Sequence, residues 1–105
     1  MNERAKINKA IALLREAANP IKIILFGSHA RGEAEGRSDV DLLVVEAEVN
    51  DRVQEMVRLN RVLSPLRIAI DLLVVSKETF EYWASTPGNV YFQAVNEGQV
   101  LYEAA

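Results

Sequence analysis

Cysteine is absent from the 105 residues. Its absence excludes disulfides, thiolate metal sites and cysteine nucleophiles, and it suits the reducing cytoplasm, where we expect the protein to work. Long apolar runs are also missing. Charges interrupt the apolar stripe of Met1 to Ala18, so that segment reads as neither a signal peptide nor a membrane span. No run of consecutive basic residues occurs, and the net charge is −3. A protein that holds nucleic acid by its phosphate backbone needs a basic face. Arg52, Arg58 and Arg61 do recur at helical spacing, but acids are mixed among them, so nucleic acid is not an expected partner. Repeats, linkers and low-complexity segments are lacking too.

What is present is the composition of one globular domain over residues 1–105, half of it hydrophobic and about a quarter charged. Such a length leaves no room for a large lid or substrate domain, so a partner chain is expected to complete any active site. Residues 3–18 predict an amphipathic helix with Ile7, Ile11, Leu14 and Ala18 inward. Asn19-Pro20 ends it. Ile21 to Phe26 reads as a strand, followed at once by Gly27-Ser28, a short helix to about Arg31, and a polar loop over Glu33 to Ser38. Asp39 to Val45 is a second strand, whose Leu42 to Val45 run suggests burial on both faces. Asp51 reads as an N-cap with Gln54 at the capping-box position. The helix it starts is expected to bury Val53, Met56, Val57 and one of Val62 and Leu63, and to stop at Ser64-Pro65. Leu66 to Val75 is a third strand, and Ser76 caps a helix from Lys77 to Ala84. Thr86-Pro87 opens another helix to Glu97, and Val100 to Tyr102 adds a short edge strand. Helices alternating with strands give an α/β or α+β fold.

The chemistry concentrates on three acids and one turn. Asp39 and Asp41 lie two residues apart in a strand, so both carboxylates point to one face. Held that close they repel, and a hard cation such as Mg²⁺, which takes oxygen ligands, relieves the repulsion. A solvated strand start is the plainer explanation for the pair alone. Asp71 shifts the balance, because it interrupts the apolar run Ile68 to Val75, where an unpartnered carboxylate is costly. A helix between the second and third strands permits a crossover that makes them neighbours. Gly27-Ser28 supplies the opposite half. Glycine admits a ligand close to the backbone, and the helix start behind it offers free N–H groups to phosphate. Arg31 and Arg37 flank this turn in sequence and either can touch phosphate, while for Arg31 a structural role, such as pairing with an acid, stays equally open. His29, the one histidine, reads as a first-turn residue facing solvent or phosphate rather than as a base.

Gly27-Ser28, ten intervening residues and Asp39-Val40-Asp41 resemble the signature of the DNA polymerase β-type nucleotidyltransferases. The fuller strings, Phe26 to Gly32 and Ser38 to Leu42, are similar to the minimal nucleotidyltransferase branch. The likeness continues through Asp71 to the closing Asn96–Tyr102. It implies a nucleotidyltransferase fold, a mixed β-sheet flanked by helices. It implies that Gly27 and Ser28 hold the triphosphate of ATP or another NTP. Asp39 and Asp41 would bind two Mg²⁺ ions, and Asp71 would help bind the catalytic ion and orient the attacking hydroxyl. It further implies a HEPN-domain protein as partner, with the chain acting as an antitoxin that transfers AMP to a hydroxyl of that toxin. The alternative is an antitoxin that neutralises its partner by binding, with catalysis weak or lost. Homo-oligomerisation is left open.

Overall fold

The computed structural model describes residues 3–27 and 39–104. Its elements run α1 (Glu3–Ala18), β1 (Lys22–Phe26), β2 (Val40–Glu46), α2 (Arg52–Leu63), a 3₁₀ turn (Ser64–Leu66), β3 (Ile70–Ser76), α3 (Lys77–Trp83), α4 (Val90–Glu97) and β4 (Gln99–Glu103). The strands form a mixed sheet in the order β3-β2-β1-β4. β1 pairs antiparallel with β2 and with β4, whereas β2 and β3 run parallel. A parallel pair needs a crossover, and α2 provides it. The expected mixed sheet with flanking helices is thus what forms. The short helix expected after Gly27 falls outside the described residues.

Alternation along the strands divides the core in two. Ile23, Leu25, Leu42, Val44, Leu72 and Val74 face α1 and α2, where they meet Ile7, Ala10 and Leu14 of α1 and Leu59 and Leu63 of α2. Ile24, Phe26, Leu43, Val45 and Val75 face the other way, toward Phe80 of α3 and Ala94 of α4. Leu42, Leu43 and Val44 have no exposed surface, as a strand covered on both faces requires. Each such side chain removed from water stabilises the fold by roughly 1.5–3 kcal/mol before ordering costs.

Local chemistry sets the element ends. Asn19 adopts φ 46° and its N–H closes back on the Arg15 carbonyl at 3.2 Å, so α1 stops one residue before Pro20. Asp51 accepts from the Gln54 N–H at 3.1 Å, and Ser76 accepts from the Thr79 N–H at 3.2 Å; both caps are as expected.

Three expectations need correction. β3 starts at Ile70 and not at Leu66, because Ser64–Leu66 continue from α2 as a 3₁₀ turn that Arg67 ends at φ 53°. Val53 and Val57 are exposed, at 70% and 46%, because the inner stripe of α2 passes through Met56, Leu59 and Leu63. α4 starts at Val90 and not at Thr86-Pro87. Asn89 is the residue that caps it, accepting from the N–H groups of Tyr91 and Phe92, both at 3.0 Å.

Candidate active site

β1 delivers the turn. Its last residue, Phe26, stands opposite Asp41 in the antiparallel register, so Gly27 leaves the sheet beside that aspartate. Gly27 has φ 72°, a conformation that costs a side-chain-bearing residue about 1–2 kcal/mol. A second constraint is steric. A β-carbon on Gly27 would overlap the Asp41 carboxylate and lie 3.0 Å from its Cγ. The glycine is therefore what allows the backbone to pass against that carboxylate.

β2 and β3 deliver the acids. In their parallel register Asp41 is paired with Asp71, and paired residues point to the same face. That face is the one α3 and α4 cover further along. Phe80 of α3 sits over the far part of the sheet, near Lys22 at the start of β1. The acid end is left open. Asp71 is exposed, Asp41 is half-buried, and Leu73, two residues on from Asp71, is only partly covered. Asp39, expected as the first residue of the strand, lies one residue before β2 and is exposed, so strand alternation does not set its face. The inference that β2 and β3 would be neighbours is met, and it pairs Asp41 with Asp71 without offset. Among the described residues no three His, Cys, Asp or Glu side chains stand close enough to hold a metal ion together. The donors brought side by side are two carboxylates, hard oxygen ligands of the kind that bridge Mg²⁺ to phosphate. Ser28, His29, Arg31 and Arg37 lie outside the described residues.

Residues 8–105 match the family described as Polymerase beta, Nucleotidyltransferase. The chain belongs to that nucleotidyltransferase family. It is 32% identical over 104 residues, 97% of its own length and 100% of the relative's, to a Methanocaldococcus jannaschii protein named as a candidate protein adenylyltransferase. It is similar to a chain in a crystal structure of a mutant of the toxin–antitoxin MntA–HpeT, with 25% identity, a TM-score of 0.65, and coverage of 99% of this chain and 75% of that one. It shares its fold, at 23% identity and a TM-score of 0.55, with a chain of a complex between tri-AMPylated Shewanella oneidensis HEPN toxin and MNT antitoxin, covering 98% of this chain and 74% of that one.

For a nucleotidyltransferase the geometry divides the work in a simple way. Gly27 follows β1 against the Asp41 carboxylate, and Asp71 stands in register with Asp41 on the next strand. No described helix is long and apolar enough to cross a membrane. Sequence reasoning passed over one cluster at the opposite end of β2. There Glu46, the last strand residue, is 8% exposed and lies against Glu55 and Arg58 of α2. Its signal was in the sequence. Glu46 shares parity with Leu42 and Val44, so strand alternation points it inward.

Proposed function

We propose that this nucleotidyltransferase moves AMP from ATP, with Mg²⁺, onto a side-chain hydroxyl of a protein partner of the HEPN type, as the antitoxin of a toxin–antitoxin pair. The observation that carries the reading is the register pairing of Asp41 with Asp71 beside the Gly27 turn. The name of the M. jannaschii relative supports AMP as the group transferred, and the likeness to the MntA–HpeT complex supports a toxin as the partner. The open acid end, with Asp71 exposed on the edge strand, fits an acceptor brought by a second protein.

In this reading Gly27 and Ser28 bind the triphosphate by backbone N–H and hydroxyl donors, and Arg31 and Arg37 pair with its charge. Asp39, Asp41 and Asp71 would hold two Mg²⁺ ions. When bound, these ions stabilise charge on the attacking and leaving oxygens. Asp71, exposed on the edge strand, orients the acceptor hydroxyl and takes up its proton. The hydroxyl oxygen forms a bond to the α-phosphorus, the bond from that phosphorus to the bridging oxygen breaks, and pyrophosphate leaves. Positioning supplies most of the rate.

The test mixes the purified chain with its HEPN partner, ATP and Mg²⁺, and follows the partner by intact-mass spectrometry. One adenylyl group or more should be added, and Asp71→Asn should suppress the addition. A tight complex that silences the toxin, with no mass gained from any NTP, would replace this reading by that of a binding module.

A further inference from the structure

The cluster at the far end of β2 follows a different chemical logic from the acids at its start. The Glu46 side chain enters the core face shared by α1 and α2, and its Oε2 is buried with no hydrogen-bond partner among the described residues. Its neighbour Glu55 is clamped on both oxygens. Arg58 Nε donates to Glu55 Oε1 at 2.7 Å and Nη2 donates to Oε2 at 2.8 Å. The third arm, Nη1, donates to the Ala17 carbonyl at the end of α1, at 3.0 Å. Arg58 thus spends a donor from each guanidinium nitrogen on Glu55 and α1. An ionised carboxylate has no donor to offer a second carboxylate. Glu46 and Glu55 can bond to each other only with a proton on one of them, and the Arg58 clamp assigns the negative charge to Glu55.

We propose that Glu46 is held as the neutral acid in the native protein, donating its proton to the Arg58-clamped Glu55, and that this pair is a proton-dependent latch fixing α2 to β2 and to the end of α1. Burial first, then the hydrogen bond and the charge of Glu55, push the Glu46 carboxyl from its ordinary 4.5 up to about 8, against a smaller pull from Arg58. Hydrogen bonds from Arg58, foremost, hold Glu55 below its ordinary value. The surroundings fit the assignment. α2 contributes Glu55 and Arg58, and α1 contributes the Ala17 carbonyl. β3 contributes Ser76 as the register partner. From β1, Lys22 turns to the opposite face, over Phe80, and pairs with Glu103. An open cleft of about 460 Å³, lined by Glu48, Asn50, Asp51, Gln54, Glu55 and Arg58 among others, borders the pair on the side of Glu55 and Arg58. Both sources of charge acting on Glu46 thus lie on α2, the helix that joins the two strands carrying Asp41 and Asp71.

The sign follows from linkage. A carboxyl with a raised native pKa contributes stability that is fully present below its unfolded value and is lost as pH rises through the native value. Between about pH 5 and 8 the unfolded chain has released this proton and the native protein has kept it. Unfolding near neutrality should then release about one proton from this site, which changes the unfolding constant by up to about tenfold per pH unit. The experiment compares denaturant unfolding of the wild type and Glu46→Gln across this range, without nucleotide. Glutamine keeps the shape and the donor but cannot ionise. The slope attributable to Glu46 should vanish in the variant. Carbon-13 NMR of glutamate-labelled wild type gives an independent reading, in which one carboxyl should titrate far above the others and be missing in the variant. Equal slopes in the two proteins, or carboxyls that all titrate near the ordinary value, would overturn the proposal. Should Glu46→Gln fail to fold, the wild-type NMR titration decides alone.

Discussion

The two ends of β2 carry carboxyl groups under opposite conditions. At its start Asp39 and Asp41 lie where the sheet is open, with Asp71 in register on the next strand. At its end Glu46 is enclosed beneath α2 beside an ion pair. Solvent access makes the difference. A carboxylate that water reaches can stay charged, whereas an enclosed one must find a donor or keep its proton. One strand thus carries open acids at one end and an enclosed acid at the other, and the parity of the residue decides which helices it meets. Odd-numbered Asp41 faces the side of α3 and α4, and even-numbered Glu46 faces α1 and α2.

The largest effect should come from the open end. Asp41→Asn keeps the size of the side chain and removes its charge. AMP transfer should fall on the order of 10²–10³-fold, the usual loss when a group that stabilises transition-state charge is removed. Steady-state transfer to the partner measures it. Near-normal rates would separate Asp41 from the chemistry. Gly27→Ala tests the same end through the backbone. The added methyl strains a positive φ and meets the Asp41 carboxylate, so stability should drop by roughly 1–3 kcal/mol, and ATP should lose most of its effect on the melting temperature. An alanine variant of wild-type stability and nucleotide response would mean that the turn rearranges freely.

Glu46→Gln should do the reverse of Asp41→Asn. Transfer to the partner should be unchanged at a pH where both proteins are folded. The wild type should lose up to about 1.4 kcal/mol per pH unit between pH 5 and 8 relative to the variant. Glu55 works in the opposite direction. Its lowered native pKa contributes stability above its ordinary range that is lost as pH falls through the native value. The latch is thus bounded on the acid side by Glu55 and on the alkaline side by Glu46. Stability curves that track each other at every pH would erase the contrast between the two ends of the strand.

Much of this arrangement was legible in the sequence where short-range chemistry decides it. Asp51 and Ser76 cap their helices through side chains that reach only three residues forward. The runs Leu42–Val45 and Leu72–Val75 announced buried strands, and the helix between them permitted a crossover that makes them neighbours. The zero-offset pairing of Asp41 with Asp71 is a property of the sheet that neither run displays alone. Other features depend on tertiary context. Val53 and Val57 make an apolar stripe as regular as Met56, Leu59 and Leu63, and only the position of α1 selects the second. Thr86-Pro87 has the form of a helix start. Asn89 takes that role because its amide also donates to the carbonyls of Trp83 and Thr86, at 3.0 and 2.7 Å, and so fixes the whole turn. Glu46 was readable by parity, but an acid after four apolar residues looks like a strand end.

Asp39 and Asp71 are both exposed, and neither sits among the buried side chains of either core cluster. Replacing both by asparagine removes two negative charges from a chain whose net charge is −3. Exposed substitutions of this kind change stability by about 0.5 kcal/mol or less in either direction, and relief of repulsion near Asp41 should tip the sign toward stabilisation. Denaturant melts of the Asp39→Asn, Asp71→Asn double variant, without metal or nucleotide, should therefore overlay those of the wild type or shift slightly upward. The same variant should lose transfer activity and the stabilisation by ATP with Mg²⁺. If instead it is destabilised by 2 kcal/mol or more, well outside the usual range for exposed sites, these aspartates are architectural like Glu46. The open end of β2 would then have to be read as part of the fold before it is read as a site.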